Sequence, residues 1–205
     1  MIKNIIFDLG NVLISFKPDE FLHNSGYDEN TVKVIINEIF RSKEWLMLDN
    51  GDMSTKEAIE AISAKSSLKT QEIASIFNLR TRIMFPLTRN TKLLPELKER
   101  GFKLYYLSNF PDDIFDEVRN KYDFFRFFDG GLISARVNAS KPDIKIFSII
   151  LDRYSLSAVE SLFIDDSEFN VNSAESVGMT GLHIQKPENL AAEIGTALGI
   201  SFELK

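Results

Sequence analysis

Residues 2–11 read IKNIIFDLGN, a short apolar run that ends abruptly in Asp8-Leu9-Gly10-Asn11. The run from Ile2 to Phe7 is rich in β-branched residues and predicts a buried strand that stops at a turn. Its apolar residues do not alternate with polar ones, which is typical of a central parallel strand covered on both faces. The sequence therefore predicts a carboxylate, Asp8, at the carboxyl end of a buried strand, where open α/β sheets bind their ligands.

Further short apolar runs predict four more strands, at Lys103 to Leu107, Leu132 to Ser134, Ser161 to Ile164 and Gly181 to Ile184. Helical patterns lie between most of them. The clearest runs from Pro142 to Tyr154, with its apolar residues on one face and Pro142 suited to the first turn. Another, from Thr91 to Arg100, ends at Gly101, where a left-handed cap is expected. Strands that alternate with helices predict an α/β fold with a parallel sheet.

One long segment breaks this alternation. From about Phe16 to Phe85 no strand is predicted, while apolar residues recur at helical spacing. An insertion directly after the first strand lies over the crevice where such sheets bind ligands. We therefore interpret residues 16–85 as a small α-helical cap domain. Residues 1–15 and 86–205 then form the α/β core domain.

The composition excludes several classes of function. The 205 residues carry 24 Lys and Arg against 30 Asp and Glu, a formal net charge of −6. A mildly acidic chain without a basic cluster predicts no nucleic-acid and no membrane partner. The chain has no cysteine and only two histidines, His23 and His183, which excludes disulfides and thiolate metal sites and disfavours a multi-histidine zinc site. No apolar run is long enough for a membrane span or a signal peptide, so a cytoplasmic location is expected.

Four polar segments follow predicted strands, and parallel topology brings them to one edge of the sheet. They are Asp8-Leu9-Gly10-Asn11, Ser108-Asn109, Lys141-Pro142-Asp143 and Asp165-Asp166-Ser167. Carboxylates offer hard oxygen ligands for Mg²⁺, the lysine neutralises phosphate charge, and the serine and backbone amides hold phosphate oxygens. One carboxylate can attack phosphorus. The set is typical of phosphoryl transfer, although each segment alone could be a turn, a surface lysine or a helix cap.

These segments resemble the four motifs of the haloacid dehalogenase (HAD) superfamily of hydrolases. Phe7-Asp8-Leu9-Gly10-Asn11-Val12-Leu13 resembles the first motif, Leu107-Ser108-Asn109 the second, and Lys141-Pro142-Asp143 the third. Phe163-Ile164-Asp165-Asp166-Ser167, followed by Asn170, Ala174 and Gly178-Met179, resembles the fourth. The resemblance covers essentially the whole chain, and it implies a Rossmann-like, HAD-like core with an inserted cap.

The resemblance also implies a role for each site residue. Asp8 would be the nucleophile, and Lys141 would act with it in catalysis and bind the phosphate together with Ser108 and Asn109. The magnesium ligands would be Asp8, the backbone carbonyl of Gly10, and the two acids of the fourth motif, Asp165 and Asp166. In relatives with two neighbouring acids the second is often the direct ligand, so Asp166 is favoured for that role.

Gly10 departs from the family pattern. Most phosphatases of the family have a second aspartate there, acting as general acid and base, a function worth about 10²–10⁴-fold in rate. A slow enzyme or a substitute acid is therefore expected, with Asp19, Glu20 and His23 as candidates at the entry to the cap. The Asp-Leu-Gly-Asn form resembles a branch that includes phosphatases of sugar phosphates such as glucose 1-phosphate.

The leading hypothesis is a Mg²⁺-dependent phosphatase of small phosphomonoesters, with a small phosphorylated metabolite as its partner and a monomer or weak homodimer as its state. One alternative is a non-catalytic HAD-like domain that binds a phosphorylated ligand or a protein, motivated by the missing aspartate. Another is a 2-haloacid dehalogenase, which Gly10 and the paired acids disfavour.

The remaining conspicuous residues favour structural roles. The aromatic run of Phe124, Phe125, Phe127 and Phe128 is predicted to lie in the core, with an exposed patch for a partner as the alternative. Packing is also predicted for Trp45, in the cap. His183 lies in an apolar strand and is predicted to be a hydrogen-bonded core histidine.

Overall fold

The computed structural model describes residues 1–202 and contains a five-stranded parallel sheet. The strands lie in the order β5-β4-β1-β6-β7, so the first strand of the chain is central. Their bounds are β1 Asn4–Phe7, β4 Lys103–Ser108, β5 Gly130–Ile133, β6 Ser161–Asp165 and β7 Thr180–His183. The α/β fold with a parallel sheet is therefore confirmed, and all five predicted strands are present within a few residues of their expected bounds.

A second, two-stranded antiparallel sheet pairs β2, Ile14–Phe16, with β3, Met84–Pro86. Between these strands lie the helices α1 Pro18–Asn24, α2 Glu29–Ile35, α3 Lys43–Asn50, α4 Thr55–Ser63, α5 Thr70–Asn78 and α6 Arg80–Ile83. A π-helical turn, Ile36–Phe40, continues α2. The prediction of a segment free of strands from residue 16 to residue 85 is wrong at both ends, because its two connections to the core pair with each other.

The other helices pack on the large sheet. They are α7 Thr88–Thr91, α8 Leu93–Glu99, α9 Asp112–Lys121, α10 Ile144–Tyr154, α11 Glu168–Ser176 and α12 Leu190–Leu198. Gly101 has a φ of +87° after α8, which is the predicted left-handed cap. Pro142 lies outside α10, contrary to the prediction, because Asp143 is the N-cap and its carboxylate accepts the backbone N–H of Lys145 at 2.9 Å.

The cap has an apolar core of its own. Trp45 is buried at its centre, stacked on Phe16 and close to Phe40 and Phe77, so the packing prediction for Trp45 is correct. This separate core supports our proposed division into a cap of residues 16–85 and a core domain of residues 1–15 and 86–205. Residues 203–205 of that proposed core domain lie outside the described part of the chain.

Apolar side chains fill both faces of the large sheet, as expected for a parallel sheet covered by helices. The aromatic run predicted for the core lies in one of these clusters. Phe124 and Phe125 are buried, and Phe127 and Phe128 pack against them half-buried. Among the described residues, no helix has both the length and the apolar character needed to cross a membrane.

The sheet register fixes where the polar segments lie. Phe7 pairs with Tyr106 on one side and with Ile164 on the other. The carboxyl ends of these three strands therefore lie at the same edge of the sheet, beneath the cap. Asp8, Ser108 and Asp165 stand at this edge.

Candidate active site

Three carboxylates converge where β1 and β6 end. Asp8 follows β1, Asp165 is the last residue of β6, and Asp166 comes directly after it. One oxygen from each lies within 4.8 Å of the others. Asp8 and Asp165 are buried, at 6% and 0% exposure, while Asp166 is exposed. The parallel register has thus assembled an acidic cluster from residues more than 150 positions apart.

Lys141 lies between the two buried carboxylates. Its Nζ donates to Asp8 Oδ1 and to Asp165 Oδ2, each at 2.6 Å, and the side chain is almost fully buried. Burial acts to lower the pKa of Lys141, but the charges of Asp8 and Asp165 outweigh it, so the pKa is raised. Lys141 therefore keeps its proton and its positive charge at the centre of the site.

The charges of this cluster do not balance. One ammonium faces three carboxylates, which leaves two uncompensated negative charges when all three are ionised. Burial raises the pKa of Asp8 to about 7, with Lys141 opposing the rise and Asp165 and Asp166 adding to it. Burial also raises the pKa of Asp166. Oxygen ligands with this excess of charge fit a divalent cation such as Mg²⁺.

The two acids of the fourth segment have different surroundings. Asp165 accepts from Lys141, from the backbone N–H of Ser167 at 2.8 Å, and from Asn170 Nδ2 at 3.0 and 3.1 Å. Asp166 accepts from Asn11 Nδ2 at 3.2 Å and faces the cavity. Asp165 is thus held by three protein groups, whereas Asp166 accepts from Asn11 and lines the cavity.

Ser108 and Asn109, at the end of β4, line the same cavity as Asp8. Ser108 is 2% exposed. The Asn109 side chain donates to the carbonyl of Lys141 and accepts its N–H, both at 2.8 Å. Asn109 therefore holds the backbone that carries Lys141, and its predicted substrate-binding role stays a prediction.

Gly10 lies in the cavity wall close to Asp8. A Cβ built on Gly10 would have a single neighbour within 4 Å, Asp8 Oδ2 at 3.6 Å, an ordinary contact. A Cβ at position 10 would therefore meet no steric barrier. The family's usual aspartate is absent from this position.

The cavity measures about 160 Å³ and lies between the sheet edge and the cap. Part of its wall is formed by residues of the polar segments, namely Asp8, Gly10, Asn11, Ser108, Asn109 and Asp166. An apolar part of the wall is formed by Ile14, Phe16, Trp45, Met84, Phe110 and Pro111.

One carboxyl group of the cap also lines this cavity, that of Asp49 in the last turn of α3. Sequence reasoning missed it. The only available signal was an acidic residue at a helix carboxyl end, where the helix dipole disfavours negative charge.

The candidate acids named from the sequence lie elsewhere. Asp19 and Glu20 are exposed in α1, and Glu20 pairs with Lys17 at 2.6 Å. His23 is exposed and lies 3.4 Å from Glu29. Within residues 1–202 the cavity lining includes none of these three. They are wrong as substitutes for the missing aspartate, because α1 turns them toward solvent.

His183 is half-buried and not a core residue, contrary to the prediction. It ends β7, an edge strand of the sheet, so one side of the residue stays accessible. The predicted hydrogen bond is present, since Nε2 lies 3.1 Å from the carbonyl oxygen of Asp166. His183 therefore supports the backbone of an acid of the site.

The fold and this group of side chains define a class: an enzyme of α/β architecture whose site lies between the edge of a parallel sheet and a helical cap. The family model of haloacid dehalogenase-like hydrolases matches residues 2–178. The chain belongs to this family, so the predicted superfamily and the predicted hydrolase are both confirmed.

Two curated relatives are named as phosphatases. The sesquiterpene phosphatase astK of Aspergillus oryzae is 32% identical over 182 residues, which cover 89% of each chain. The glyceraldehyde 3-phosphate phosphatase of Methanocaldococcus jannaschii is 25% identical over 202 residues, 91% of this chain and 86% of the relative.

Solved structures share the fold. A HAD-like family hydrolase from Porphyromonas gingivalis superposes with a TM-score of 0.74 at 24% identity, covering 97% of this chain and 98% of that one. A HAD family enzyme from Bacteroides thetaiotaomicron, solved with magnesium and inorganic phosphate, has a TM-score of 0.70 at 23% identity, over 89% and 94% of the two chains. At these identities the likeness concerns the fold alone.

Proposed function

We propose that this protein is a Mg²⁺-dependent phosphatase of small phosphomonoesters that forms an aspartyl-phosphate on Asp8. The observation that carries the proposal is the buried Lys141 ammonium, 2.6 Å from both Asp8 and Asp165, with Asp166 beside them. A carboxylate nucleophile, a fixed cation and oxygen ligands for a metal are the parts that phosphoryl transfer requires.

In the first step an oxygen of Asp8 attacks phosphorus, and the bond between phosphorus and the leaving alcohol oxygen breaks. Lys141 holds one oxygen of Asp8, which leaves the other free to attack. The Lys141 charge also stabilises negative charge that builds on the phosphoryl oxygens. Ser108 is buried and lines the cavity together with Asp8, and in this proposal its hydroxyl would donate to the same oxygens.

In the second step water attacks the phosphorus of the aspartyl-phosphate, and the bond to Asp8 breaks. Asn109 keeps Lys141 in place during both steps through its two hydrogen bonds to the Lys141 backbone. The cap residues in the cavity wall would shield the phosphoryl group from bulk water once substrate is bound. The cavity volume of about 160 Å³ is well below the roughly 300–1,000 Å³ of sites that bind drug-sized ligands. We therefore propose a small substrate.

Asp8, Asp166 and the carbonyl of Gly10 would hold Mg²⁺, with Asp165 beside them and oriented by Asn170. The bound ion would neutralise charge on the phosphoryl group. The excess negative charge of the cluster supports this assignment. Asp165 accepts hydrogen bonds from more protein donors than Asp166 does, which supports Asp166 as the direct ligand of the metal ion.

Two substrate classes are compatible with the cavity. Sugar phosphates remain our first proposal, supported by the polar residues Asn11, Asp49 and Asn109 in the wall. The apolar side of the wall, formed in part by Phe16, Trp45 and Met84, favours a phosphomonoester with an apolar organic group as the second candidate. A relative named as a sesquiterpene phosphatase supports that second class.

The test is phosphate release from a panel of sugar phosphates and prenyl monophosphates, with and without Mg²⁺. We expect metal-dependent release by the wild type and none by Asp8→Asn, because an amide cannot act as the nucleophile. The matched control is Asp143→Asn, which alters an exposed helix-capping carboxylate near Lys141. The preferred member of the panel identifies the substrate class.

Other outcomes would favour the alternatives. Binding of a phosphate analogue without release from any substrate would indicate a non-catalytic domain that binds a phosphorylated ligand. Halide release from 2-haloacids without metal would indicate a dehalogenase. Equal phosphate release by the wild type and Asp8→Asn would contradict the proposed nucleophile.

A further inference from the structure

The position that usually supplies the general acid in this family holds Gly10, so a proton donor for the leaving group has to come from elsewhere. Asp8, Asp166 and Asp49 are the carboxyl groups that line the described cavity. The proposed function uses Asp8 as the nucleophile and Asp166 as a metal ligand. Asp49 is the carboxyl group of the wall to which the two proposed chemical steps give no role.

We propose that Asp49, contributed by the cap, is the general acid and base of this enzyme and replaces the side chain that Gly10 lacks. This inference rests on the proposed phosphatase function. Asp49 lines the same cavity as Asp8 and Gly10, and it comes from the cap, whereas Asp8 comes from the edge of the sheet. In-line attack by Asp8 sends the leaving group away from the sheet edge, so the proton donor has to come from another part of the cavity wall.

The backbone of Asp49 is fixed to the core domain. Ser134 Oγ donates to the Asp49 carbonyl oxygen and accepts the N–H of Phe110 at 2.9 Å. The next residue, Asn50, accepts from Ser140 Oγ at 2.7 Å. The end of α3 is therefore docked on the loops that follow β4 and β5. Because Asp49 belongs to this docked end of α3, the contacts between cap and core also fix the position of its carboxyl group.

The surroundings of Asp49 favour the protonated form that an acid needs. Burial in the cavity wall raises the pKa of Asp49 to about 7, against opposing effects of a hydrogen bond from the Trp45 side chain and the charge of Arg80. The carboxyl end of a helix adds negative potential in the same direction as burial. Arg80 is itself paired with Asp113 at 2.8 Å, which weakens its effect on Asp49.

Protons and bonds balance over the two steps. Asp49 gives its proton to the alcohol oxygen as the bond from that oxygen to phosphorus breaks and Asp8 becomes phosphorylated. The resulting Asp49 carboxylate then takes a proton from water as the water oxygen bonds to phosphorus. The bond to Asp8 breaks, inorganic phosphate leaves, and Asp49 is protonated again.

The first experiment compares Asp49→Asn with the wild type on an alkyl phosphomonoester and on p-nitrophenyl phosphate. An alkoxide needs a proton to leave, whereas nitrophenolate leaves as a stable anion. We expect turnover of the alkyl substrate to fall by about 10²–10⁴-fold. With p-nitrophenyl phosphate we expect a burst of nitrophenolate followed by slow turnover and accumulated phosphoenzyme, because the second step has lost its base.

The control is Asp52→Asn, which removes the same charge from an exposed position three residues further along the chain. We expect it to behave like the wild type on both substrates. The burst also reports on folding, because a misfolded Asp49→Asn protein would give none.

The second experiment restores the family's usual acid in the variant. Gly10→Asp is the substitution used, because a Cβ at Gly10 makes only an ordinary contact with Asp8. We expect the double variant Gly10→Asp/Asp49→Asn to turn over the alkyl substrate at least 10-fold faster than Asp49→Asn alone. A purely structural role for Asp49 predicts no such recovery.

The outcomes separate this inference from the function on which it rests. Asp49→Asn could turn over the alkyl substrate at the wild-type rate while Asp8→Asn is inactive. That result would overturn the role of Asp49 and leave the phosphatase proposal standing. Equal loss on both substrates without a burst, and without recovery by Gly10→Asp, would also overturn it. Absence of activity in the wild type would overturn both proposals.

Discussion

Lys141 illustrates how a single buried side chain can hold a site together. Its ammonium is bonded to Asp8 and Asp165 at 2.6 Å, and all three side chains are buried. Removing one partner of a buried ion pair leaves an uncompensated charge, which costs about 3–5 kcal/mol. We therefore expect Lys141→Met to lower the free energy of unfolding by about that amount and to abolish phosphatase activity.

Urea denaturation and phosphate release measure the two effects, with Lys145→Met as the matched control. Lys145 is exposed in the first turn of α10, so its loss should change the free energy of unfolding by less than about 0.5 kcal/mol. Equal stability of the two variants would mean that Lys141 does not stabilise the buried carboxylates.

A second prediction at the residue scale concerns pH and Asp49. Its pKa is raised from 3.8 to about 7, so the folded protein retains a proton that the unfolded chain releases. The stability that this group contributes is full below pH 3.8 and is lost as the pH rises through 7. We expect the Tm of Asp49→Asn to exceed that of the wild type by a few degrees at about pH 8.5. This difference in Tm should become smaller as the pH is lowered toward about pH 5.

Thermal unfolding across pH measures this gap, with Asp52→Asn again as control. A stabilised but inactive Asp49→Asn protein would show that the wild type gives up stability for function at this position. A Tm below that of the wild type at high pH would contradict the raised pKa.

At the scale of elements, the docking of α3 depends on Gly51. Gly51 has a φ of +79°, and a Cβ there would lie 2.4 Å from the carbonyl oxygen of Ala135. Gly51→Ala must therefore displace the end of α3 from the core. Since small misplacements of catalytic groups can cost about 10²-fold, we expect kcat/KM to fall by up to that factor.

Gly26→Ala is the matched control for this prediction. Gly26 has a similar φ of +88°, but a Cβ there would meet nothing within 4 Å. Both variants carry the left-handed backbone cost of about 1–2 kcal/mol, and only Gly51→Ala should also lose activity. The same kcat/KM for the two variants would show that close docking of α3 is not required.

At the scale of the whole molecule, two parts of the chain form one site. Cap and core are linked by β2 and β3, by the Arg80–Asp113 ion pair and by the docked end of α3. The acidic cluster lies on the core side of this junction. A cation bound there should therefore stabilise the folded protein, since it binds the unfolded chain weakly.

We expect Mg²⁺ at about 100 times its Kd to add about 2.7 kcal/mol, or several degrees in Tm. Asp166→Asn should remove most of this shift, while Glu168→Gln, at an exposed acid two residues away, should keep it. Thermal unfolding with and without Mg²⁺ measures the effect. An unchanged shift in Asp166→Asn would contradict Asp166 as the direct ligand.

The five strands, the left-handed Gly101 and the packing of Trp45 were predictable, because local periodicity and glycine chemistry specify them. The convergence of Asp8, Lys141, Asp165 and Asp166 was also predictable, because parallel strands end at one edge of a sheet. The β2–β3 pair was missed, because two three-residue strands give too short a pattern to detect.

The α/β core, the helical insertion and the four polar segments can all be predicted from local patterns in the amino-acid sequence. Which acid of the cap lines the cavity depends on how the cap packs against the core. Asp19, Glu20 and His23 were the proton donors suggested by the sequence, and all three are exposed in α1. Asp49, which the sequence did not single out, lines the cavity from the end of α3. Contacts between distant segments set this choice, above all Ser134 with Asp49, and no local pattern encodes them.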